Sequence, residues 1–230
     1  MKNISDVCVI IQARLGSQRV PNKMLAPFSN TTLMDIALEK VKKCKSFPLS
    51  NFYLSAYEEE LTYIGEKHGV KVFNRSRASA QSEGDPMTEM YEWWDKLDYK
   101  YCVLINACAP FLSPETIDSF VEKYLKSAHD GLFGVIEKKN YFWDKNGKMM
   151  TPWPVGTEVM NTKFVEPTLE GAHCLYAGKM ASIGNGIWMG TFKNDTDPSL
   201  FSMQEEECFD IDYEWQFKAA EAIYKFSKEQ

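Results

Sequence analysis

The apolar run Val7-Cys8-Val9-Ile10-Ile11 passes directly into Gln12-Ala13-Arg14-Leu15-Gly16-Ser17-Gln18-Arg19-Val20-Pro21-Asn22-Lys23, and this junction constrains the fold more than any other stretch. A strand with no polar alternation is buried on both faces, as in a parallel sheet covered by helices on each side. Strands and helices alternate behind it. Leu33, Ile36, Ala37, Val41 and Cys44 recur at helical spacing after Asn30, a candidate cap. Asn51 to Ala56 reads as a strand, Leu61, Ile64 and His68 mark a helix stopped by Gly69, and Val70 to Phe73 reads as another strand. Met87, Met90, Tyr91, Trp94 and Leu97 predict one helical face, and Tyr101 to Ile105 a second fully buried strand. Ser113-Pro114-Glu115 starts a helix whose inner face is Ile117, Phe120, Val121, Tyr124 and Leu125. This order implies an α/β fold with a mostly parallel sheet and right-handed crossovers. Ligands in such sheets bind outside the carboxyl ends of the strands.

The pattern changes after Gly131 to Ile136. Lys139 to Asn161 carries aromatics, an Asn146-Gly147 turn and Pro152-Trp153-Pro154 without helical period. Residues 139–168 read as an inserted arm or lid, or a dimerisation segment, within a single domain spanning 1–230. Tyr141, Phe142, Trp143 and Trp153 suit an interface core, or a cover for the site. Ala172 to Ala177 and Gly186 to Gly190 look like further strands. Cys208 to Asp212 reads as a last strand before a helix carrying Trp215, Ala219, Ala222, Ile223 and Phe226.

With 230 residues the chain can bury a full core. Its net charge of -6 argues against broad nucleic-acid binding but leaves room for a local basic pocket. No stretch approaches the ~20 apolar residues of a membrane span, and the first apolar run is too short for a signal peptide, so the cytoplasm is the expected location. The six cysteines are scattered without a Cys-x-x-Cys pair and read mainly as small core residues. Glu205-Glu206-Glu207 reads as a solvated face.

Two constellations carry chemistry. In the first loop, Gly16 and Ser17 allow backbone N–H groups to turn inward around an anion, and a bulky side chain at Gly16 would obstruct that concavity. Arg14, Arg19 and Lys23 add three cations, which suits a triphosphate. A solvated basic turn is the alternative. The spacing matches neither the Walker loop nor the dinucleotide fingerprint. At the other end, Asp210 and Asp212 stand two apart, which on a strand puts both carboxylates on one face. Such a pair can hold Mg²⁺, the remaining positions being taken by water and phosphate oxygens. Alternatively, Asp212 caps the last helix.

The stretch Ile11 to Leu25 resembles the opening signature of the acylneuraminate cytidylyltransferase family, which includes CMP-sialic acid synthetases and spore-coat polysaccharide proteins of the SpsF type and is related to CMP-Kdo synthetases. The form Gln-Ala-Arg-x-Gly-Ser-x-Arg-x-Pro-x-Lys is nearest the spore-coat branch. Val72-Phe73-Asn74-Arg75, the Ser82 to Asp85 loop, Glu170-Gly171-Ala172-His173-Cys174-Leu175 and Phe209-Asp210-Ile211-Asp212-Tyr213-Glu214 extend the resemblance over nearly the whole chain. It implies a three-layer Rossmann-like nucleotidyltransferase fold of the nucleotide-diphospho-sugar transferase type, with an inserted arm. It further implies CTP as donor, a sugar-type acceptor, Mg²⁺ (or Mn²⁺) and arm-mediated homodimers. On this resemblance Arg14 and Lys23 grip the triphosphate, Gly16, Ser17 and Arg19 line it, Ala13 lies under the base, and Arg75 and Asp85 contact base and ribose. Gln12, Asn106, Glu170 and His173 fall on the acceptor side, His173 being as readable as a hydrogen-bonded structural residue.

The chain departs from the family in its acceptor half. Ile105-Asn106-Ala107-Cys108-Ala109-Pro110-Phe111-Leu112 stands where sialic-acid enzymes have Leu-Gln-Pro-Thr-Ser-Pro-Leu-Arg, and it offers no carboxylate for a second metal. Glu170 replaces Asn, and Pro167-Thr168-Leu169 supplies no Arg for a sugar carboxylate. An acceptor different from ordinary sialic acid is expected, one lacking the carboxylate or carrying an amine. The alternatives are a nucleotidyltransferase using another nucleoside triphosphate and a catalytically silent nucleotide-binding homologue.

Overall fold

A computed structural model describes residues 1–84, 86–193 and 197–228. One sheet contains β1 (Val7–Gln12), β2 (Phe52–Ala56), β3 (Lys71–Asn74), β4 (Tyr101–Ile105), β5 (Leu132–Lys138), β6 (Thr168–Lys179) and β7 (Ser199–Met203), in the order β3-β2-β1-β4-β6-β5-β7. β6 is antiparallel to both neighbours, and every other pairing is parallel. β1 lies inside the sheet, bonded to β2 on one side and β4 on the other, and Val7 to Ile11 are wholly buried. The mostly parallel sheet expected from the unbroken apolar strands is therefore present.

The helices are α1 (Leu33–Lys43), α2 (Glu59–Lys67), α3 (Arg77–Gln81), α4 (Met87–Met90), α5 (Pro114–Lys126) and α6 (Glu214–Lys228). Leu33, Ile36, Ala37 and Val41 of α1 pack with Ile117, Phe120 and Val121 of α5 in the larger core. Ser113 caps α5 by accepting from the Thr116 N–H, with Pro114 in the first turn, as the sequence predicts. A second core on the opposite face joins Cys8, Ile10 and Cys102 to Trp93, Met180, Ile183 and Trp188.

Several local expectations give way. Thr32, not Asn30, caps α1, its side chain accepting from the Asp35 N–H. The Met87 to Leu97 helix is broken at Tyr91 into α4 and a 3-10 turn at Glu92–Trp94, and this break sinks Trp93 fully between Gln12 and Trp188. Gly186 to Gly190 is not a strand, because Gly186, Met189 and Gly190 all take positive φ. Residues 208–212 are not a strand either: a 3-10 turn at Glu205–Cys208 leads into irregular chain. The edge strand β7 lacks the apolar run that marks a strand from sequence; its side chains alternate between half-buried and exposed before Met203. On α6 the inner contacts are Phe217 and Tyr224 against Phe28, with Ala220 buried, while Trp215, Ile223 and Phe226 face outward. Between residues 139 and 167 the chain forms a Trp143–Met149 bridge around the Asp144–Gly147 turn and one 3-10 turn at Thr162–Phe164. Trp143, Met150, Trp153, Val155, Val159 and Met160 stand exposed there.

Lys40 on α1 is 7% exposed, and its Nζ donates to the Ala109 carbonyl at 2.6 Å. Burial pushes its ammonium down to about 8, against the opposing pull of Cys174 and Glu207. A lysine whose folded pKa lies below its unfolded value of 10.5 destabilises the fold below about pH 8, and that cost is relieved as pH rises toward 10.5. The stability gap between Lys40→Met and the native chain should therefore narrow, by on the order of 3 kcal/mol, between pH 8 and 10.5. Parallel denaturation curves at a series of pH values measure it, and a constant gap would contradict the assignment.

Candidate active site

β1 and β4 end side by side at Gln12 and Ile105, and a cleft of ≈ 390 Å³ opens over these carboxyl ends. It is lined by Gln12, Ala13, Arg14, Gly16 to Arg19, Lys23, Met24, Glu83 and Asn106 to Cys108. The loop is fixed at its far end by buried Val20 and Met24, and Asn22 turns it with φ 51°. Within it, the Leu15 N–H donates to Glu58 Oε1 at 2.9 Å and the Ser17 N–H to the Leu15 carbonyl at 2.8 Å. The amides of Gly16 and Gln18 meet no acceptor among the described residues, so they, rather than the Ser17 amide, are available to an anion. A Cβ at Gly16 would meet nothing within 4 Å. Gly16→Val should therefore leave the melting temperature nearly unchanged while raising KM for a nucleotide at least about tenfold, the equivalent of ~1.4 kcal/mol. A melting temperature that falls together with affinity would point to a structural glycine instead.

The fold carries the Asp210–Asp212 segment to the mouth of this cleft. The Ile211 N–H donates to the Cys108 carbonyl at 3.1 Å, and Lys23 Nζ donates to the Ile211 carbonyl. Arg19 Nη2 lies 2.6 Å from Asp212 Oδ1, Lys23 Nζ lies 3.9 Å from the same oxygen, and the Arg19 guanidinium sits 5.1 Å over the Tyr213 ring. Asp210 Oδ1 is buried and has no hydrogen-bond partner. Burial, reinforced by Asp212, raises the Asp210 carboxyl above its ordinary range, against the opposing charge of Lys23. Asp212 does not cap α6 with its side chain. Gln216 does so, its Oε1 accepting from the Asp212 and Tyr213 N–H groups at 2.7 and 2.8 Å. No group of three or more His, Cys, Asp or Glu suited to a metal exists among the described residues, so the aspartate pair would rely on phosphate oxygens and water to complete a coordination sphere.

The other expected residues separate into two groups. Asn106 is at the cleft: its Oδ1 accepts from the Cys108 N–H and its Nδ2 donates to the His173 carbonyl. Gln12 lines it too, although its amide is engaged with Met90 and Trp93. His173 is exposed on an irregular part of β6 with φ 55°, its Nδ1 3.3 Å from the Tyr176 hydroxyl. Arg75 departs from expectation. It is 5% exposed, donates to the Ser79 carbonyl and does not line the cleft, so it supports α3 instead of reaching a base. Arg14 donates to the Ala80 and Ser82 carbonyls at 3.3 and 3.1 Å, which aims it along the cleft wall. Glu170 also lies outside the cleft lining, 4.0 Å from Lys138, which is paired with Glu205. Glu207 is not part of a solvated face, since its Oε2 is buried without a partner. Asp85 lies outside the described residues. Met24 and Cys108 were not expected in the lining, and their positions beside Lys23 and just beyond β4 are the signals that could have found them.

A family model described as Cytidylyltransferase matches residues 8–165. The chain belongs to the cytidylyltransferase family. It is 26% identical over 130 residues to the spore coat polysaccharide biosynthesis protein SpsF of Bacillus subtilis, covering 55% of this chain and 53% of that one. It is 24% identical over 228 residues to N-acylneuraminate cytidylyltransferase A of Danio rerio, covering 94% of this chain and 50% of that one. The chain thus spans about half the length of these curated relatives. Its fold resembles that of CMP:2-keto-3-deoxy-manno-octonic acid synthetase complexed with CTP, with TM-score 0.67 at 11% identity, covering 96% of this chain and 99% of that one. This likeness bears on the fold, and agrees with the nucleotidyltransferase architecture expected from the sequence. No helix among the described residues is long and apolar enough to cross a membrane.

Proposed function

We propose that this cytidylyltransferase-family chain transfers CMP from CTP to a sugar-type acceptor with release of pyrophosphate. The observation that carries the reading is the gathering of Arg14, Arg19, Lys23 and two unengaged loop amides in one cleft at the carboxyl ends of β1 and β4, with Asp212, outside the lining itself, paired to Arg19 and Lys23. The acceptor oxygen attacks the α-phosphorus in line, and the leaving pyrophosphate carries the charge that builds. Lys23 neutralises that charge from a fixed position, with Arg19 beside it. The Gly16 and Gln18 amides hold phosphate oxygens.

The partnerless buried Oδ1 of Asp210 fits a hard divalent cation, Mg²⁺ or Mn²⁺, which Asp210 and Asp212 would hold together. When bound, such a cation supplies Lewis-acid polarisation of the α-phosphate. Asn106 and His173 face the acceptor. The absence of an Arg in Pro167-Thr168-Leu169 supports an acceptor other than ordinary sialic acid, in surface-polysaccharide or glycan biosynthesis in the cytoplasm. The exposed aromatics and valines of residues 139–168 suit a homodimer interface. Trp153→Asp with Val159→Asp should convert a dimer to monomers in sedimentation analysis.

Pyrophosphate release measured with CTP, UTP, GTP and ATP against neutral, amino and acidic sugars, with and without Mg²⁺, tests the proposal. CTP-selective, Mg²⁺-dependent turnover is expected. Preference for another nucleotide would reassign the donor, and binding without turnover would indicate a silent homologue. N-acetylneuraminate as the best acceptor would overturn the acceptor reading.

A further inference from the structure

We propose that Lys40 is a positioning residue for nucleotidyl transfer, holding the Asn106–Pro110 turn and, through it, the Asp210–Asp212 segment. The inference rests on the reading of the cleft given above. Lys40 does not line the cleft. It comes from beneath, on α1, and its Nζ donates to the Ala109 carbonyl at 2.6 Å with both residues buried. Ala107 and Cys108, just before that carbonyl, form part of the cleft wall. Asn106 closes the turn by accepting from the Cys108 N–H at 2.8 Å and ties it to β6 by donating its own N–H to the Cys174 carbonyl at 2.9 Å. The Cys108 carbonyl in turn accepts from the Ile211 N–H. Lys23 grips the Ile211 carbonyl from the cleft side. The segment carrying both aspartates is thus suspended between two lysines, one in the cleft and one under it.

An apolar side chain of similar length would fill the Lys40 site without the cost of burying a charge. No carboxylate lies within ion-pair distance of its Nζ among the described residues; Glu207 acts only through its field. A group that weakens the fold while fixing the backbone of a cleft wall is characteristic of function held at the expense of stability.

The test compares native protein with Lys40→Met and Lys40→Gln. For Lys40→Met we expect a higher melting temperature, about tenfold faster amide hydrogen exchange in residues 106–112 and 208–213, and kcat lowered about tenfold at a KM for CTP within twofold of native. Lys40→Gln, which keeps a donor, should recover part of the exchange protection and of kcat. Unchanged exchange in both segments would overturn the proposal, as would failure of both variants to fold, which would make Lys40 purely structural. If exchange quickens while the native protein turns over no nucleotide, the positioning stands and the transferase reading falls.

Discussion

Lys23→Ala should lower CTP-dependent pyrophosphate release by roughly 10²–10³-fold, the scale on which preorganised charge acts on a transition state. Lys23 is suited to this because its side chain is only 11% exposed and is already fixed by the Ile211 carbonyl and, at 3.9 Å, by Asp212. A cation held in place needs no reorganisation as charge builds on the leaving group. The same contacts give the substitution a second effect. Freed of Lys23, the 210–212 segment keeps its bond to the Cys108 carbonyl and the Arg19–Asp212 pair but loses the tie from Lys23 to the Ile211 carbonyl. The melting temperature should fall by only a few degrees, at ~2–4 °C per kcal/mol for a chain of this size. Single-turnover kinetics with a melting curve separates the effects. Near-native turnover would remove Lys23 from the mechanism.

Asp210→Asn should reduce turnover comparably while stabilising the fold. The carboxylate is largely buried, one oxygen lacks a partner, and its pKa is raised by burial first and by Asp212 second. A carboxyl whose folded pKa exceeds its unfolded value of 3.8 supports stability below that value and loses the support as pH rises through the folded pKa. At neutral pH the ionised Asp210 therefore weakens the native state, and Asn relieves it. The variant should gain on the native chain from about pH 4 upward and then level off. Loss of activity together with loss of stability would mean instead that Asp210 is held by contacts its surroundings do not display.

The gathering of the first loop's cations in one cleft was legible in the sequence because local patterns specify it. A doubly buried strand followed at once by Arg14, Gly16, Arg19 and Lys23 must deliver them to the carboxyl end of the sheet, and the structure puts those residues there. The Asp210–Asp212 pair was legible as chemistry but not as geometry. It lies on irregular chain, and its place is set by Cys108 and Lys23, more than a hundred positions away in sequence. Arg75 is a base contact by family resemblance, yet the short helix α3 folds back and uses it for the Ser79 carbonyl. The outward face of α6 was likewise illegible, since Trp215, Ile223 and Phe226 share its helical period with the inner Phe217 and Tyr224.

β6 is the one strand entering the sheet from the edge where the cleft lies. β5 leaves at that edge with Lys138 and β6 returns there with Thr168, so the segment between them starts and ends at the cleft's end of the molecule. The β4–β6 register, from Tyr101↔Lys179 to Ile105↔Leu175, starts well inside β6 and is indifferent to the length of what precedes it. The arm is therefore an exchangeable visor. Chains sharing this sheet can lengthen, shorten or recompose it, changing what approaches the rim, without shifting the β4–β6 register beneath the first loop.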